Sequence, residues 1–253
     1  HGHIIVCEVE SKYIMAELFG KETGVSRGKG GSMHLFDIAK NFYGGHGIVG
    51  AQVPVGTGVA FAMKYNNQRQ ICATFYGDGA ANQGQVYESF NMAKLWGLPV
   101  LYVIENNQYG MGTSVERSSA TKHFYQRAAS FNIQGELVDG MDFFAVYEAF
   151  KRAREHIISQ QEPYCLEVET YRYRGHSMSD PGNYRTRDEI NLYRDQRDPI
   201  GNLKNYLLAE KIADDKALKA IEKEVKDEIE AALDFAKASP EPLASELWTD
   251  VYS

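Results

Sequence analysis

The sequence lacks most of what a disulfide-rich, membrane-spanning or nucleic-acid-binding protein needs. Of its 253 residues only three are cysteines. Cys7, Cys72 and Cys165 lie far apart without a C-x-x-C pair, so we expect neither a disulfide framework nor a zinc site. The longest apolar runs, Val53–Met63 and Leu98–Ile104, are shorter than the ~18 residues that cross a bilayer. The net charge of −7 argues against nucleic-acid phosphates as the main partner.

Hydrophobic periodicity predicts an α/β fold, a mostly parallel sheet with helices on both faces. Ile71–Tyr76 is an apolar strand, Gln83–Trp96 has helical spacing, and Pro99–Ile104 is a second apolar strand. Strand, helix and strand in this order form a βαβ unit, whose strands run parallel. The other predicted elements are helices at Ser11–Phe19, Ala51–Tyr65, Asp142–Ile158 and Asp214–Ala238, and a strand at Cys165–Tyr171.

The length suits one large α/β domain. We therefore interpret residues 1–253 as a single domain in which residues 186–253 form a mainly helical C-terminal extension. On its long last helix the apolar residues recur at helical spacing and are expected to face inward: Leu218, Ile221, Val225, Ile229, Leu233 and Ala236.

Polar turns follow both strands of the βαβ unit, at the edge where parallel sheets bind ligands. Asp78 lies between two glycines after the first strand, and Asn106 and Asn107 follow the second. Because 26 residues separate Gly79 from Asn106, the length of about one helix and one strand, we expect both turns to face one crevice. A carboxylate, an amide oxygen and a backbone carbonyl suit an octahedral Mg²⁺ that takes its other ligands from phosphate and water.

The same turn could also bind phosphate directly. Gly79–Asn82 lies at a predicted helix start, where free N–H groups favour an anion. Two other phosphate motifs are absent, because Asn82 replaces the last glycine of G-x-G-x-x-G, and Thr23 and Gly30 break a Walker A loop. Each turn alone is ordinary, but the pair at this spacing favours a ligand site.

Longer motifs carry a family resemblance. The Gly-Asp-Gly turn followed after 26 residues by Asn-Asn is typical of thiamine-diphosphate enzymes. The chain resembles, over nearly its whole length, the E1 α subunits of the 2-oxo acid dehydrogenases, those acting on pyruvate above all. The motifs are Gly28–His34, Tyr43–Pro54, Gly77–Gln85, Glu105–Arg117 and Tyr171–Pro181 (YRYRGHSMSDP).

The resemblance implies specific ligands for Mg²⁺ and thiamine diphosphate. Asp78, Asn107 and the backbone carbonyl of Tyr109 match the Mg²⁺ ligands of the family. Gly79 and Ala80 match its contacts to the diphosphate.

Further residues match the family's contacts to the rest of the cofactor. Gly47 and Val49 match the stretch that packs on the aminopyrimidine ring. His176 matches a catalytic loop histidine that reaches the diphosphate and the mouth of the active site. His46 is expected to have a structural role in its glycine turn, and no role is assigned to His34 or Gln52.

The resemblance also implies an activity and partners. It describes an oxidoreductase that decarboxylates pyruvate and passes the acetyl group to the lipoyl group of an E2 acetyltransferase, towards acetyl-CoA. An E1 β subunit completes each site, so we expect an α₂β₂ heterotetramer and no activity from this chain alone. The α subunits of acetoin and branched-chain 2-oxo acid dehydrogenases stay open as alternatives, although Tyr171–Pro181 favours pyruvate. A non-catalytic scaffold for the β subunit is disfavoured because the proposed ligands are retained.

Regulation and origin are also matters of resemblance. Ser177 and Ser114 match serines that are phosphorylated in mitochondrial relatives, whereas Asn183 stands at the place of a further one. This departure favours a bacterial, cytoplasmic enzyme over one of the mitochondrial matrix. The family also has a Tyr-Arg pair that helps to hold the diphosphate just before His1-Gly2, so we interpret the chain as an N-terminally truncated member.

Overall fold

The computed structural model describes residues 1–251, which divide into two compact units. One unit combines His1–Gly47 with the segment that begins at Glu210, and the other is Ile48–Ala209. The predicted boundary at residue 186 therefore does not coincide with a boundary between units. The single-domain interpretation stays a prediction.

The second unit is built on a parallel sheet. Its strands are β1 (Cys72–Gly77), β2 (Val100–Asn106), β5 (Gln134–Asp139) and β6 (Tyr164–Glu169), in the order β1-β2-β6-β5. The parallel sheet and its flanking helices confirm the predicted α/β class. The first two strands end level with each other, since Gly77 pairs with Glu105.

Helices cover both faces of this sheet. Alternate residues of β2 enter two separate cores: Tyr102 packs with residues of the helices Gln52–Tyr65 and Gly84–Trp96, and Val103 packs with those of the helix Phe143–Gln160. This alternation explains why the first five residues of the strand, 100–104, are all apolar. The other elements are α3 (Gln52–Tyr65), α4 (Gly84–Trp96), α5 (Val115–Ser118), α6 (Tyr125–Ala128), α7 (Phe143–Gln160), α8 (Arg187–Gln196), α9 (Pro199–Ala209), the hairpin β3 (Tyr109–Gly110) and β4 (Thr113–Ser114), and 3₁₀ turns at Ala80–Asn82 and Ala129–Phe131.

The first unit contains α1 (Gly2–Val6), α2 (Ser11–Leu18) and α10 (Asp215–Ala238), with 3₁₀ turns at Ile38–Lys40 and Ala244–Trp248. The glycine-rich segment of residues 26–31 is held in place by Glu17, a fully buried residue of α2. The carboxylate of Glu17 accepts hydrogen bonds of 2.7 to 3.1 Å from four backbone N–H groups, those of Ser26, Gly28, Gly30 and Gly31. Such bonds compensate for the cost of burying the charge.

The long helix α10 differs from the prediction that its apolar stripe faces inward. Ala232 and Ala236 are buried, but Ile221, Val225 and Ile229 are between 42% and 58% exposed. The physical reason is length, because α2, which packs on α10, has 8 residues against 24. At 1.5 Å per residue, α2 covers about a third of the longer helix.

Most predicted elements agree with the structure to within a residue or two at each end. The prediction missed the strand β5, the hairpin β3–β4 and the helices α1, α5 and α6, and it gave no bounds for α8 and α9 within the segment expected to be mainly helical. β5 begins Gln-Gly-Glu and lies at the sheet edge, so it has no apolar run to detect. No helix among residues 1–251 has the length and apolar character that crossing a bilayer requires.

Candidate functional site

The turns that follow β1 and β2 meet at the carboxyl edge of the sheet. We name these two segments, Gly77–Asn82 and Asn106–Gly110, the strand-end turns. A methyl group added to Gly110 would lie 3.3 Å from the Cα atom of Gly79 and 3.8 Å from Oδ2 of Asp78. Backbone therefore packs directly on backbone here, and the two turns face each other as their spacing predicts.

Asp78 lies at the centre of this contact. The residue is only 3% exposed. Burial, the largest effect, raises the pKa of Asp78, while the nearby backbone N–H groups of Asp78 and Asn107 and the positive charge of Arg172 oppose the shift. A desolvated carboxylate of this kind gains from a cationic partner.

The second strand-end turn presents the other predicted ligands. The side-chain oxygen of Asn107 accepts a long hydrogen bond of 3.4 Å from the N–H of Tyr109. The carbonyl oxygen of Tyr109 accepts one of 3.2 Å from Nη1 of Arg172. A carbonyl oxygen has two lone pairs, so this bond leaves one for a metal ion.

The three predicted ligands suit Mg²⁺ only together with a further, anionic ligand. The side chains of Asp78 and Asn107 and the carbonyl of Tyr109 all offer hard oxygen atoms, but only Asp78 carries a charge. No cluster of three or more His, Cys, Asp or Glu residues suitable for a metal occurs in the described part of the chain. A cation held here would need further oxygen ligands, which the phosphates of a cofactor can supply.

The predicted diphosphate contacts lie beside Asp78. Gly79 is exposed, while Ala80 is 2% exposed and begins the 3₁₀ turn Ala80–Asn82. This turn precedes α4, so the helix begins at Gly84 rather than directly after the glycines. The exposed backbone of Gly79 is accessible to an anion.

His176 lies in a polar loop, which we define as Tyr173–Tyr184. It is exposed, and its Nδ1 atom is 3.2 Å from Nη1 of Arg172. Because an arginine can only donate, Nδ1 is assigned as the acceptor, which places the imidazole proton on Nε2. The backbone N–H of His176 donates to Oδ2 of Asp180 over 2.7 Å.

Arg172 connects the polar loop to the second strand-end turn. Its guanidinium donates to the carbonyl oxygens of Tyr109 and Met111 and to the hydroxyl of Tyr184. Its Nε atom is buried without a hydrogen-bond partner among the described residues. No role was assigned to Arg172 from the sequence, and the only signal for it was its place in the motif Tyr171–Pro181.

The predicted contacts to the aminopyrimidine lie in different units. Gly47 belongs to the first unit, where a methyl group at this position would lie 3.1 Å from Nε2 of His34. His46 meets Phe36 edge to face, and burial lowers its pKa. Their contacts agree with a structural role for His46.

Val49, in the second unit, is 60% exposed, and its carbonyl oxygen accepts from Nε2 of Gln85 over 3.4 Å. Gln52 donates to the carbonyl oxygen of Phe75 and so joins α3 to β1.

The two serines proposed as regulatory sites differ in their surroundings. Ser177 is exposed in the polar loop, and its hydroxyl is 3.0 Å from that of Ser179. Ser114 is half-buried, in the hairpin strand β4, and precedes α5.

A parallel sheet with helices on both faces defines an α/β protein, and proteins of this class bind their ligands at the carboxyl edge of the sheet, where the two strand-end turns meet. Residues 1–245 match the model of the dehydrogenase E1 component family, and the chain belongs to this family.

Three relatives show how far the similarity extends. The chain is 56% identical over 252 residues to the pyruvate dehydrogenase E1 component subunit alpha of Rickettsia typhi, which covers 100% of this chain and 77% of that protein. It is 55% identical over 251 residues to the protein of that name from Rhizobium meliloti, covering 99% of this chain and 72% of the relative. The mitochondrial protein of that name from Dictyostelium discoideum is 55% identical over 253 residues, covering 100% of this chain and 66% of the relative.

Proposed function

We propose that this chain is the α subunit of a pyruvate dehydrogenase E1 component. In this function it takes part in the oxidative decarboxylation of pyruvate and the transfer of the acetyl group to the lipoyl group of E2, towards acetyl-CoA. The similarity to proteins of that name extends over the whole chain. The observation that carries the proposal is the packing of Gly79 on Gly110, which brings Asp78 to the turn that contains Asn107.

The cofactors proposed are thiamine diphosphate and Mg²⁺. The side chains of Asp78 and Asn107 and the carbonyl of Tyr109 would hold the metal, and the backbone of Gly79 and Ala80 would contact the diphosphate. Bound thiamine diphosphate supplies a nucleophilic carbon and an electron sink for the loss of CO₂ from a 2-oxo acid. Only Asp78 among the protein ligands is anionic, which supports a metal shared with phosphate oxygens.

The polar loop would act on the same diphosphate. With Nδ1 of His176 accepting from Arg172, the proton on Nε2 is free to be donated to a phosphate oxygen. The guanidinium of Arg172 adds positive charge beside the turn. Gly47 and Val49 are proposed to pack on the aminopyrimidine ring.

The proposed partners are an E1 β subunit, in an α₂β₂ heterotetramer, and the lipoyl domain of an E2 dihydrolipoyl acetyltransferase. The chain supplies the phosphate and metal half of the site, so its activity is proposed to need the β subunit. The cytoplasm of a bacterium is the proposed location, supported by relatives from Rickettsia and Rhizobium.

The experiment is reconstitution with the β subunit, followed by assays with pyruvate, acetoin and 2-oxoisovalerate. We expect turnover with pyruvate that requires both subunits, Mg²⁺ and thiamine diphosphate. A preference for acetoin or for 2-oxoisovalerate would instead assign the chain to the corresponding dehydrogenase. Turnover by this chain alone would contradict the proposed heterotetramer.

Calorimetry separates an enzyme from a scaffold. An α subunit assembled with its β subunit is expected to bind thiamine diphosphate only when Mg²⁺ is present. A scaffold would assemble equally well and show no heat of binding for the cofactor.

A further inference from the structure

We propose that Glu167 is a positioning residue of the Mg²⁺ site and acts through the side chain of Asn106. The inference rests on the proposed function, because the turn that Asn106 holds carries two of the proposed metal ligands. Glu167 lies on β6, one strand away from that turn.

Glu167 is fully buried, and donors surround its carboxylate. Oε1 accepts a hydrogen bond of 2.7 Å from Nδ2 of Asn106. Oε2 accepts one of 3.0 Å from the N–H of Tyr125. A buried carboxylate is costly without such partners, so this arrangement holds it in one orientation.

The carboxylate fixes which way the amide of Asn106 points. A carboxylate only accepts, so the NH₂ group of Asn106 must face Glu167 and its Oδ1 must face away. There, Oδ1 accepts from both the backbone N–H and the side-chain Nε2 of Gln108, over 3.2 and 3.3 Å. Glu167 therefore controls an acceptor that it does not itself touch.

That acceptor holds the second strand-end turn in its shape. Gln108 has a φ of +74°, a left-handed backbone conformation that residues other than glycine adopt rarely. It stands between Asn107 and Tyr109, the two proposed ligands of this turn. The hydrogen bond from the N–H of Gln108 to Asn106 thus fixes the residue whose conformation decides where the ligand oxygens point.

A single substitution of Glu167 should disturb this chain of hydrogen bonds while keeping the side-chain volume. In Glu167→Gln the new NH₂ group must face either the NH₂ of Asn106 or the N–H of Tyr125. If the amide of Asn106 turns over to relieve the first contact, its NH₂ group then faces the N–H of Gln108. The mismatch of two donors therefore persists and can move into the metal turn.

The reciprocal substitution offers a rescue. Asn106→Asp alone places two carboxylates in contact. Combined with Glu167→Gln, the new carboxylate accepts from both the new amide and the N–H of Gln108, and the remaining amide oxygen accepts from Tyr125. The double variant rebuilds every bond, with the negative charge moved from one position to the other.

The test uses the α subunit assembled with its β subunit and measures the Mg²⁺ concentration that gives half-maximal binding of thiamine diphosphate. Residues that orient metal ligands typically contribute ~10–100-fold to affinity. We expect Glu167→Gln and Asn106→Asp each to raise that concentration by at least ~10-fold, with kcat at saturating Mg²⁺ largely kept. We expect the double variant to return to within ~3-fold of the wild type, since its network is complete.

Glu136→Gln is the control, because this glutamate of the neighbouring strand β5 is ion-paired with Arg152 on the surface.

Two outcomes would overturn the inference. One is an unchanged Mg²⁺ requirement in Glu167→Gln, and a lower Tm beside it would make Glu167 a purely structural residue. The other is a double variant no better than the single ones.

If Glu167→Gln fails to assemble, the double variant decides alone. Assembly with near-wild-type Mg²⁺ affinity supports the inference, and failure to assemble or weak affinity overturns it. The proposed function fails separately, and takes this inference with it, if the wild-type assembly does not bind thiamine diphosphate with Mg²⁺.

Discussion

The strand-end turns and the polar loop differ in how they are held, although Arg172 connects them. The turns are held by the buried Asp78, whose charged form the backbone of Asn107 favours, and by the close approach of the Gly79 and Gly110 backbones. The polar loop is exposed, Met178 completely so, and it depends on side-chain hydrogen bonds at the surface. Buried packing gives one fixed geometry, whereas surface bonds of this kind open easily.

This difference suggests a division of labour. Ligand oxygens that are already in place lose little entropy when a metal ion and a cofactor bind. A loop held by a few exposed bonds can instead close over the cofactor, open for product, and respond to a single added charge. Each prediction below alters one side of this comparison.

Removing the buried carboxylate should have the largest effect. In Asp78→Ala the site keeps no protein charge toward Mg²⁺, so we expect Mg²⁺-dependent binding of thiamine diphosphate to weaken by more than ~100-fold, since even outer positions contribute ~10–100-fold. Activity of the reconstituted enzyme should fall to background. Calorimetry with and without Mg²⁺ measures the first quantity, and turnover of pyruvate measures the second.

Asp234→Ala is the matched control, because Asp234 is exposed on α10. It should bind the cofactor as the wild type does. If Asp78→Ala binds thiamine diphosphate with the normal dependence on Mg²⁺, the strand-end turns are not the metal site. The division of roles between these turns and the polar loop would then be wrong.

The sequence was sufficient to predict the strand-end turns. Each turn directly follows an apolar strand, and parallel strands bring their carboxyl ends to one edge whatever the details of packing. Asp78 and Asn107 therefore follow from local pattern and one topological rule. The resemblance added roles, which stay predictions, for residues such as His176.

The supporting contacts could not be predicted in this way. The bond between Glu167 and Asn106 depends on β6 pairing beside β2, and the sequence does not specify the strand order. Arg172 lies in a segment without periodicity, so its position depends on the conformation of the loop. The exposed stripe of α10 was misjudged because periodicity shows an apolar face but not the length of its partner.

A charge added to the polar loop should have the next largest effect. Ser177→Glu places a carboxylate beside His176, so we expect it to repel the diphosphate and lower cofactor affinity by ~10-fold at low salt. Raising the ionic strength should reduce the difference, because salt screens charges at exposed positions. The uncharged Ser177→Gln is the control for size. An equal loss in both variants would point to steric blocking rather than charge.

A smaller effect is expected where the two turns touch. In Gly110→Ala the new methyl group would lie 3.3 Å from the Cα atom of Gly79, closer than most such contacts, so the backbones must move apart slightly. A shift of a few tenths of an ångström should weaken Mg²⁺ affinity by ~3–10-fold, less than the loss of a ligand. Gly84→Ala is the control, since no atom lies within 4 Å of its added methyl group. Equal Mg²⁺ affinities in both variants would mean that the strand-end turns can move apart without loss, and so would contradict the fixed geometry inferred for them.

The smallest effect should be confined to the polar loop. Asp180 accepts from the N–H groups of His176 and Gly182 and from the hydroxyl of Tyr184. Those two N–H groups, the largest causes, hold the pKa of Asp180 below its ordinary value of 3.8. Its contribution to loop order is therefore complete above pH 3.8 and is lost only as the pH falls through the lower value of the folded state.

Asp180→Asn should speed amide hydrogen exchange in the loop by ~10-fold while leaving Tm and exchange in the strand-end turns unchanged. In the wild type, protection of the loop, corrected for intrinsic rates, should stay constant between about pH 8 and pH 5, because the carboxylate remains charged throughout. A loss of protection between about pH 7 and pH 6 would contradict this, because the carboxylate of Asp180 stays charged over that interval.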